Sequence, residues 1–343
     1  MSIPSKRLRL SSPADLLSAV PYLIGYRPAD SILCIAVSRG RAVFYANTFL
    51  SQIAVDVPGE VAAAAADIAA RTAAEGDTAV VVGYGTSDQV DAVVAQFHSA
   101  LAAIGVSVQV VLRSLEDRYF CLDPYCGGSC PPDGTGYDAV ASSVAVQLVV
   151  DGHTALPSRA AMVALLDPVG GARRDEMDAA CRSASRRMRA MLPDADRSAG
   201  TDERVPRVAP QHVVDAGMAA LHDALDAAAH GRVLSDDEVG WLAIALLVPA
   251  VKVAALQRST GDAAQQQLWT DVVRRATPSL TVVPAVLLAS TAYHTGNAVL
   301  ARIAVDRALQ IEPGDGFAQI IDLALQGGVR PPAWRAALQA ATS

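Results

Sequence analysis

Cys121, Cys126 and Cys130 fall within ten consecutive residues, in a loop that continues through Pro131, Pro132 and Asp133 to Gly134. Three thiolates so spaced could hold zinc, which takes sulfur at about 2.3 Å in a tetrahedron. A structural zinc site takes four ligands, so Asp123, Asp133 or His153 would have to supply the fourth. The spacings are C-x4-C and C-x3-C in place of the usual C-x-x-C. A disulfide between two of the three, or plain reduced thiols, are the competing readings. A nucleophilic role would need a depressed thiol pKa, and no Lys or His adjacent in sequence provides one.

A second group is Arg27, Asp30 and Ser31, at the end of the run Pro21-Tyr22-Leu23-Ile24-Gly25-Tyr26-Arg27-Pro28-Ala29-Asp30-Ser31. Gly25 and Pro28 force a change of direction between a helix and a strand. The three polar residues then stand where an anion or carboxylate could be bound at a strand end. The alternative is that Arg27 and Asp30 pair with each other and only brace the turn. Gly83-Tyr84-Gly85-Thr86-Ser87 follows a strand and opens a helix, as phosphate cradles do. Asp88 stands at the third glycine position of G-x-G-x-x-G and no Walker lysine exists, so a helix cap is the better reading. Arg182, Arg186 and Arg189 share a helical face, but Asp175, Glu176 and Asp178 nearby make it a solvated face rather than a nucleic-acid surface. His98, His212, His222, His230 and His294 lack metal-ligand spacing with one another. The sequence contains no H-E-x-x-H, G-x-S-x-G or kinase signature.

These residues need elements to position them. Ser12-Pro13-Ala14-Asp15 caps a helix running to about Leu23. Ile32 to Val37 and Ala42 to Leu50 read as a β-hairpin turned at Ser38-Arg39-Gly40-Arg41. An alanine-rich helix over Val57 to Ala74, a strand over Thr78 to Val82, a helix from Thr86 to Gly105 and a half-buried strand from Val106 to Leu112 follow. That order predicts an α/β domain with a mixed sheet, containing a hairpin and a β-α-β unit. After His153 the strand signals fade. Ser158 caps a helix, the stretch Pro193 to Pro210 is polar, and Ser235-Asp236-Asp237-Glu238 is a capping box. From Pro284 to Pro313, Leu288, Ala289, Ala292, Gly296, Ala301 and Ala308 are spaced as in a tetratricopeptide helix-turn-helix. The expected division is an α/β domain over 1–155 carrying the cysteine loop 121–134, a helical linker over 156–209, and an all-α helical-hairpin domain over 210–343.

The 343 residues are 52% hydrophobic and 18% charged, with a formal net charge of -7. That balance excludes wholesale disorder and a chain-wide cationic surface for nucleic acid or acidic membranes. No apolar stretch follows the basic residues Lys6, Arg7 and Arg9, so no secretory signal is expected. The longest apolar run, Val239 to Val251, is shorter than the roughly 20 residues of a membrane span, so no membrane span is expected. Five cysteines in a chain of this length fit a reduced, cytoplasmic protein.

Taken together, Leu8-Arg9-Leu10-Ser11-Ser12-Pro13-Ala14-Asp15-Leu16-Leu17 and the run from Val20 to Ser31 resemble the opening of an actinobacterial family of unknown function, domain family 4192. The cysteine loop resembles that family's middle segment, and Leu156-Pro157-Ser158-Arg159 and the stretch from Trp269 to Pro313 its later parts. Two departures stand out. Cys126 and Cys130 are split by three residues where the family carries adjacent cysteines, and Pro249-Ala250-Val251-Lys252 replaces an Arg-Asp pair. The resemblance implies lineage and compartment and supplies no activity. The expectation is therefore a soluble intracellular protein of unknown activity, a non-enzymatic binding protein whose partner protein docks on the C-terminal helices. The competing expectation is an enzyme with an anion-binding cleft in the α/β domain, assisted by a metal at the cysteine loop.

Overall fold

A computed structural model describes residues 10–53, 57, 59–123, 126, 130–193 and 209–342. Most of the polar stretch expected between Pro193 and Pro210 lies outside these, as do Leu8, Arg9, Pro124, Tyr125, Gly127, Gly128 and Ser129. The chain divides into two compact units, Met1–Ala161 and Met162–Ser343.

In the first unit Ser12 accepts the Asp15 amide at 3.1 Å and starts α1 (Pro13–Ile24), which ends at left-handed Gly25. The strands β1 (Ser31–Ser38) and β2 (Arg41–Phe49) form the expected hairpin. The helix α2 (Glu60–Glu75) leads to β3 (Thr78–Tyr84). Next comes α3 (Ser87–Ala103), opened by a capping box between Thr86 and Gln89, and then β4 (Ser107–Leu115). Two strands follow that the sequence pattern did not announce, β5 (Arg118–Cys121) and β6 (Thr135–Gly136). The six strands form one sheet in the order β2-β1-β3-β4-β5-β6, with β3 and β4 parallel and every other pair antiparallel. Alternation along the strands sends Ile32, Cys34, Val81 and Val111 into a core with Ala65, Ile68, Val90, Val94 and Phe97 of α2 and α3. The opposite face carries Tyr45 and Asn47, which fasten the end of α1. Tyr45 donates to the Leu23 carbonyl at 3.2 Å and Asn47 to the Tyr26 hydroxyl at 2.9 Å. A short helix α4 (Ser143–Val150) packs Val144 and Leu148 against Ala19 of α1.

The helix α5 (Arg159–Ala164) stands where the two units divide, and every regular element after it among the described residues is a helix. The second unit holds α6 (Ala172–Met191), α7 (Gln211–Ala229), α8 (Asp236–Ala245), α9 (Pro249–Gln257) and α10 (Ala263–Arg275). It continues with α11 (Val282–His294), α12 (Ala298–Ile311), α13 (Gly316–Gln326) and α14 (Pro331–Thr342). The fold is thus a mixed α/β sheet domain followed by an all-α domain. The apolar run from Val239 to Val251 is not one rod, because α8 and α9 meet at a bend of 105° at Pro249. No single described helix is long and apolar enough to cross a membrane. The helices α11 and α12 form the expected hairpin, turned at left-handed Gly296, with Leu288, Ala289, Ala292, Ala301 and Ala308 fully buried. Small side chains at these positions let two helices approach closely. Arg275, buried in α10, donates to the Leu234 carbonyl at 2.8 Å and pairs with Asp271 and Asp236, which ties α10 to the start of α8.

Candidate functional site

Cys121 is the last residue of β5, which pairs on one side with Leu112 to Leu115 of β4 and on the other with β6. Beyond Cys121 the chain leaves the sheet and returns at Thr135 to pair with Tyr119. The excursion is fastened at its return end by Arg118, whose guanidinium donates to the carbonyls of Asp133 and Gly134, each at 2.9 Å. Gly134 must be glycine: its φ is +73°, and a Cβ there would lie 2.8 Å from the Tyr119 carbonyl oxygen and from the Phe120 ring. The Cys126 amide donates to the Asp123 carbonyl at 3.2 Å.

The outcome is convergence of sulfur. The Sγ atoms of Cys121, Cys126 and Cys130 all lie within 4.8 Å of one another. Ligands at 2.3 Å in a tetrahedron are separated by about 3.8 Å, so these sulfurs can close on one ion with small adjustments. None of the three is joined in a disulfide here, which leaves the disulfide reading without support in this structure. Cys121 has its thiol pushed up to about 11, first by burial, then by Cys130 and Cys126, against a lowering hydrogen bond from the Asp123 backbone. Such a thiol is neutral near pH 7 and a poor nucleophile, whereas a cation would favour its thiolate. Among the described residues no other Cys, His, Asp or Glu joins the three within that distance, so Asp123, Asp133 and His153 do not complete the set as placed. Beside the sulfurs lies a cavity of about 200 Å³, bordered by Cys121, Cys130, Gln109, Tyr119, Asp123 and Thr135. The sulfur triad can hold a soft or borderline metal ion.

The other predicted group sits at the end of the sheet where β3 and β4 terminate. Arg27 is exposed, and its amide donates to the Leu156 carbonyl at 2.9 Å. Asp30 is exposed, adopts φ of +45°, and accepts the Leu50 amide on its carbonyl at 2.9 Å. The turn at these two residues is braced by those backbone bonds, and no ion pair joins their side chains.

Ser31 faces Tyr84 across β1 and β3, and Tyr84 faces Ser114 across β3 and β4. Register therefore builds a transverse row of hydroxyls on the sheet face opposite α2 and α3. Ser114 bonds Tyr137 at 3.0 Å, while Ser31 Oγ and Tyr84 Oη are buried without a hydrogen-bond partner. Burial raises the Tyr84 phenol well above its ordinary value, with Tyr137 adding to the effect. Burial raises the Tyr137 phenol too, offset in part by the Ser114 hydrogen bond and then by the Arg27 charge. Tyr84, Ser114 and Tyr137 were not singled out by sequence as members of this group. Only the register brings them to Ser31, although Tyr84 lay inside the Gly83-Tyr84-Gly85 turn. The turn itself is a helix start: the Thr86 amide donates to Gln89 at 3.0 Å, and a Cβ on Gly83 would lie 2.7 Å from Val94.

A mixed-sheet α/β domain with a three-thiol loop, followed by helical hairpins, defines the class of protein. The sequence profile of the family described as Domain of unknown function (DUF4192) matches residues 13–332, and the chain belongs to that family. No curated protein and no solved structure matches the chain.

Proposed function

We propose that this is a non-enzymatic binding protein of an actinobacterial cytoplasm, whose α/β domain is built around a zinc ion held by Cys121, Cys126 and Cys130. The convergence of the three sulfurs within 4.8 Å carries this reading. Zinc fits because thiolate is a favoured donor and because its tetrahedron needs sulfurs about 3.8 Å apart, which three atoms within 4.8 Å of one another can reach. Bound there, the ion joins the end of β5 to the far side of a long excursion, which is how small metal sites add to folding energy. The helical domain supplies the partner surface, since Ile320 and Leu323 of α13 stand 49% and 66% exposed one turn apart. Lineage and compartment rest on composition: among 28 basic residues only Lys6 and Lys252 are lysines, and free thiols suit a reducing cytoplasm.

Elemental analysis of the full chain, purified without chelator, tests the metal. About one zinc per chain is expected, falling to near zero in Cys121→Ser together with a lower melting temperature. A metal-free protein that melts as the variant does would refute the reading.

A further inference from the structure

We propose that the metal site, which rests on the zinc reading above, keeps its fourth coordination position open toward the neighbouring cavity and takes a small thiol there as its thiolate. Three sulfurs occupy three corners of a tetrahedron and leave one corner on the far side of their plane. Among the described residues no further Cys, His, Asp or Glu reaches the triad to fill it. Two of the three cysteines, Cys121 and Cys130, border the cavity of about 200 Å³, so the cavity adjoins the metal position directly. That volume is below the 300 Å³ or so at which drug-sized pockets begin, and it suits a molecule of a few heavy atoms.

The donor set decides the chemistry of the ligand. Three thiolates on a divalent ion leave the centre with a net charge of −1, so it polarises bound water weakly and is ill suited to hydrolysis. A soft sulfur donor matches the other three better than an oxygen does. The walls agree: Pro13, Val110, Val111 and Leu112 offer apolar contact for a hydrocarbon stem, and Gln109 and Thr135 offer polar ends. On binding, the thiol releases its proton to solvent, its sulfur forms one bond to the metal, and solvent at that corner leaves. No electron transfer is involved.

The test uses the full chain loaded with cobalt under a phosphine reductant, then titrated separately with 2-mercaptoethanol, imidazole and acetate. The thiol should raise the thiolate-to-cobalt charge-transfer band saturably by about one third, the ratio of four thiolates to three, with cobalt retained through gel filtration. Asp123→Asn tests whether that carboxylate holds the fourth corner, through the starting spectrum. A cobalt protein whose spectrum ignores the thiol overturns the open position while leaving the metal reading intact. An equal response to imidazole or acetate overturns the choice of thiol, and a starting spectrum altered by Asp123→Asn assigns that corner to the carboxylate. Cobalt that never binds removes the metal reading and this inference with it.

Discussion

At the scale of single residues, the cysteine loop depends on one backbone conformation as much as on its sulfurs. Gly134 occupies a left-handed conformation against the Tyr119 carbonyl and the Phe120 ring, so any side chain there meets both strain and overlap. Gly134→Ala should destabilise the α/β domain by about 2 kcal/mol, roughly half from the dihedral and half from the contact. Denaturant unfolding measures this, and competition with a chelator should show weaker metal retention in the same variant. An unchanged midpoint would mean that the loop re-routes freely and that Arg118 does not fix its return. The three cysteines themselves were legible in the sequence because their clustering is dense. Their closeness in space was not, since residues five and four apart in an irregular loop can point anywhere. Arg27, Asp30 and Ser31 illustrate the opposite case. Sequence placed them at a junction, but the hydroxyl row to which Ser31 belongs depends on strands far away in the chain.

At the scale of elements, caps and turns were the most readable features, because their chemistry is local. Ser12, Thr86 and Ser235 each open the helix their side chains predicted. The capping box of α8 has an electrostatic consequence. Glu238 accepts from the Ser235 amide at 2.7 Å and from Arg232 at 3.0 Å, and its carboxyl is held down to about 2, chiefly by the arginine. A carboxylate whose folded pKa is depressed stabilises the fold above its unfolded value and loses that contribution as pH falls through the folded one. Glu238→Gln should therefore cost under about 1 kcal/mol near neutrality, since the pair is partly solvated. The gap between variant and parent should close as the pH drops from the ordinary value of 4.5 toward 2. Thermal melts across that range check the sign; a gap that widens in acid would contradict it. What local chemistry could not announce were β5 and β6. They are short, they carry no clear alternation, and they exist because the edge of β4 needs a partner.

For the whole molecule, the family match spans both compact units, so the two architectures belong to one inherited chain rather than to a chance fusion. The class of each half was visible in hydrophobic periodicity, which reports whether an element buries one face or both. The partner surface proposed above was only a region in the sequence; the exposed apolar side chains it would use are Ile320 and Leu323 on α13. A photo-crosslinking residue at exposed Gln319 of the full chain, expressed in the source cell, should trap one polypeptide of defined mass. Leu323→Glu should abolish that adduct while shifting stability by no more than about 0.5 kcal/mol, as surface changes do. An adduct that survives the substitution, or none in the parent, would exclude this face.

The loop that carries the sulfurs is also a cover. Before Leu112, among the described residues, the outer side of β4 has no strand beside it, and only the Leu122 amide reaches across, to the Val111 carbonyl at 2.9 Å. The loop and this edge border the same cavity at Gln109 and Val110, so whatever loosens the loop leaves the edge more open as a template for strand addition by a neighbouring copy. If the loop holds the proposed ion, its loss would then be felt first as self-association of intact molecules, before either domain unravels.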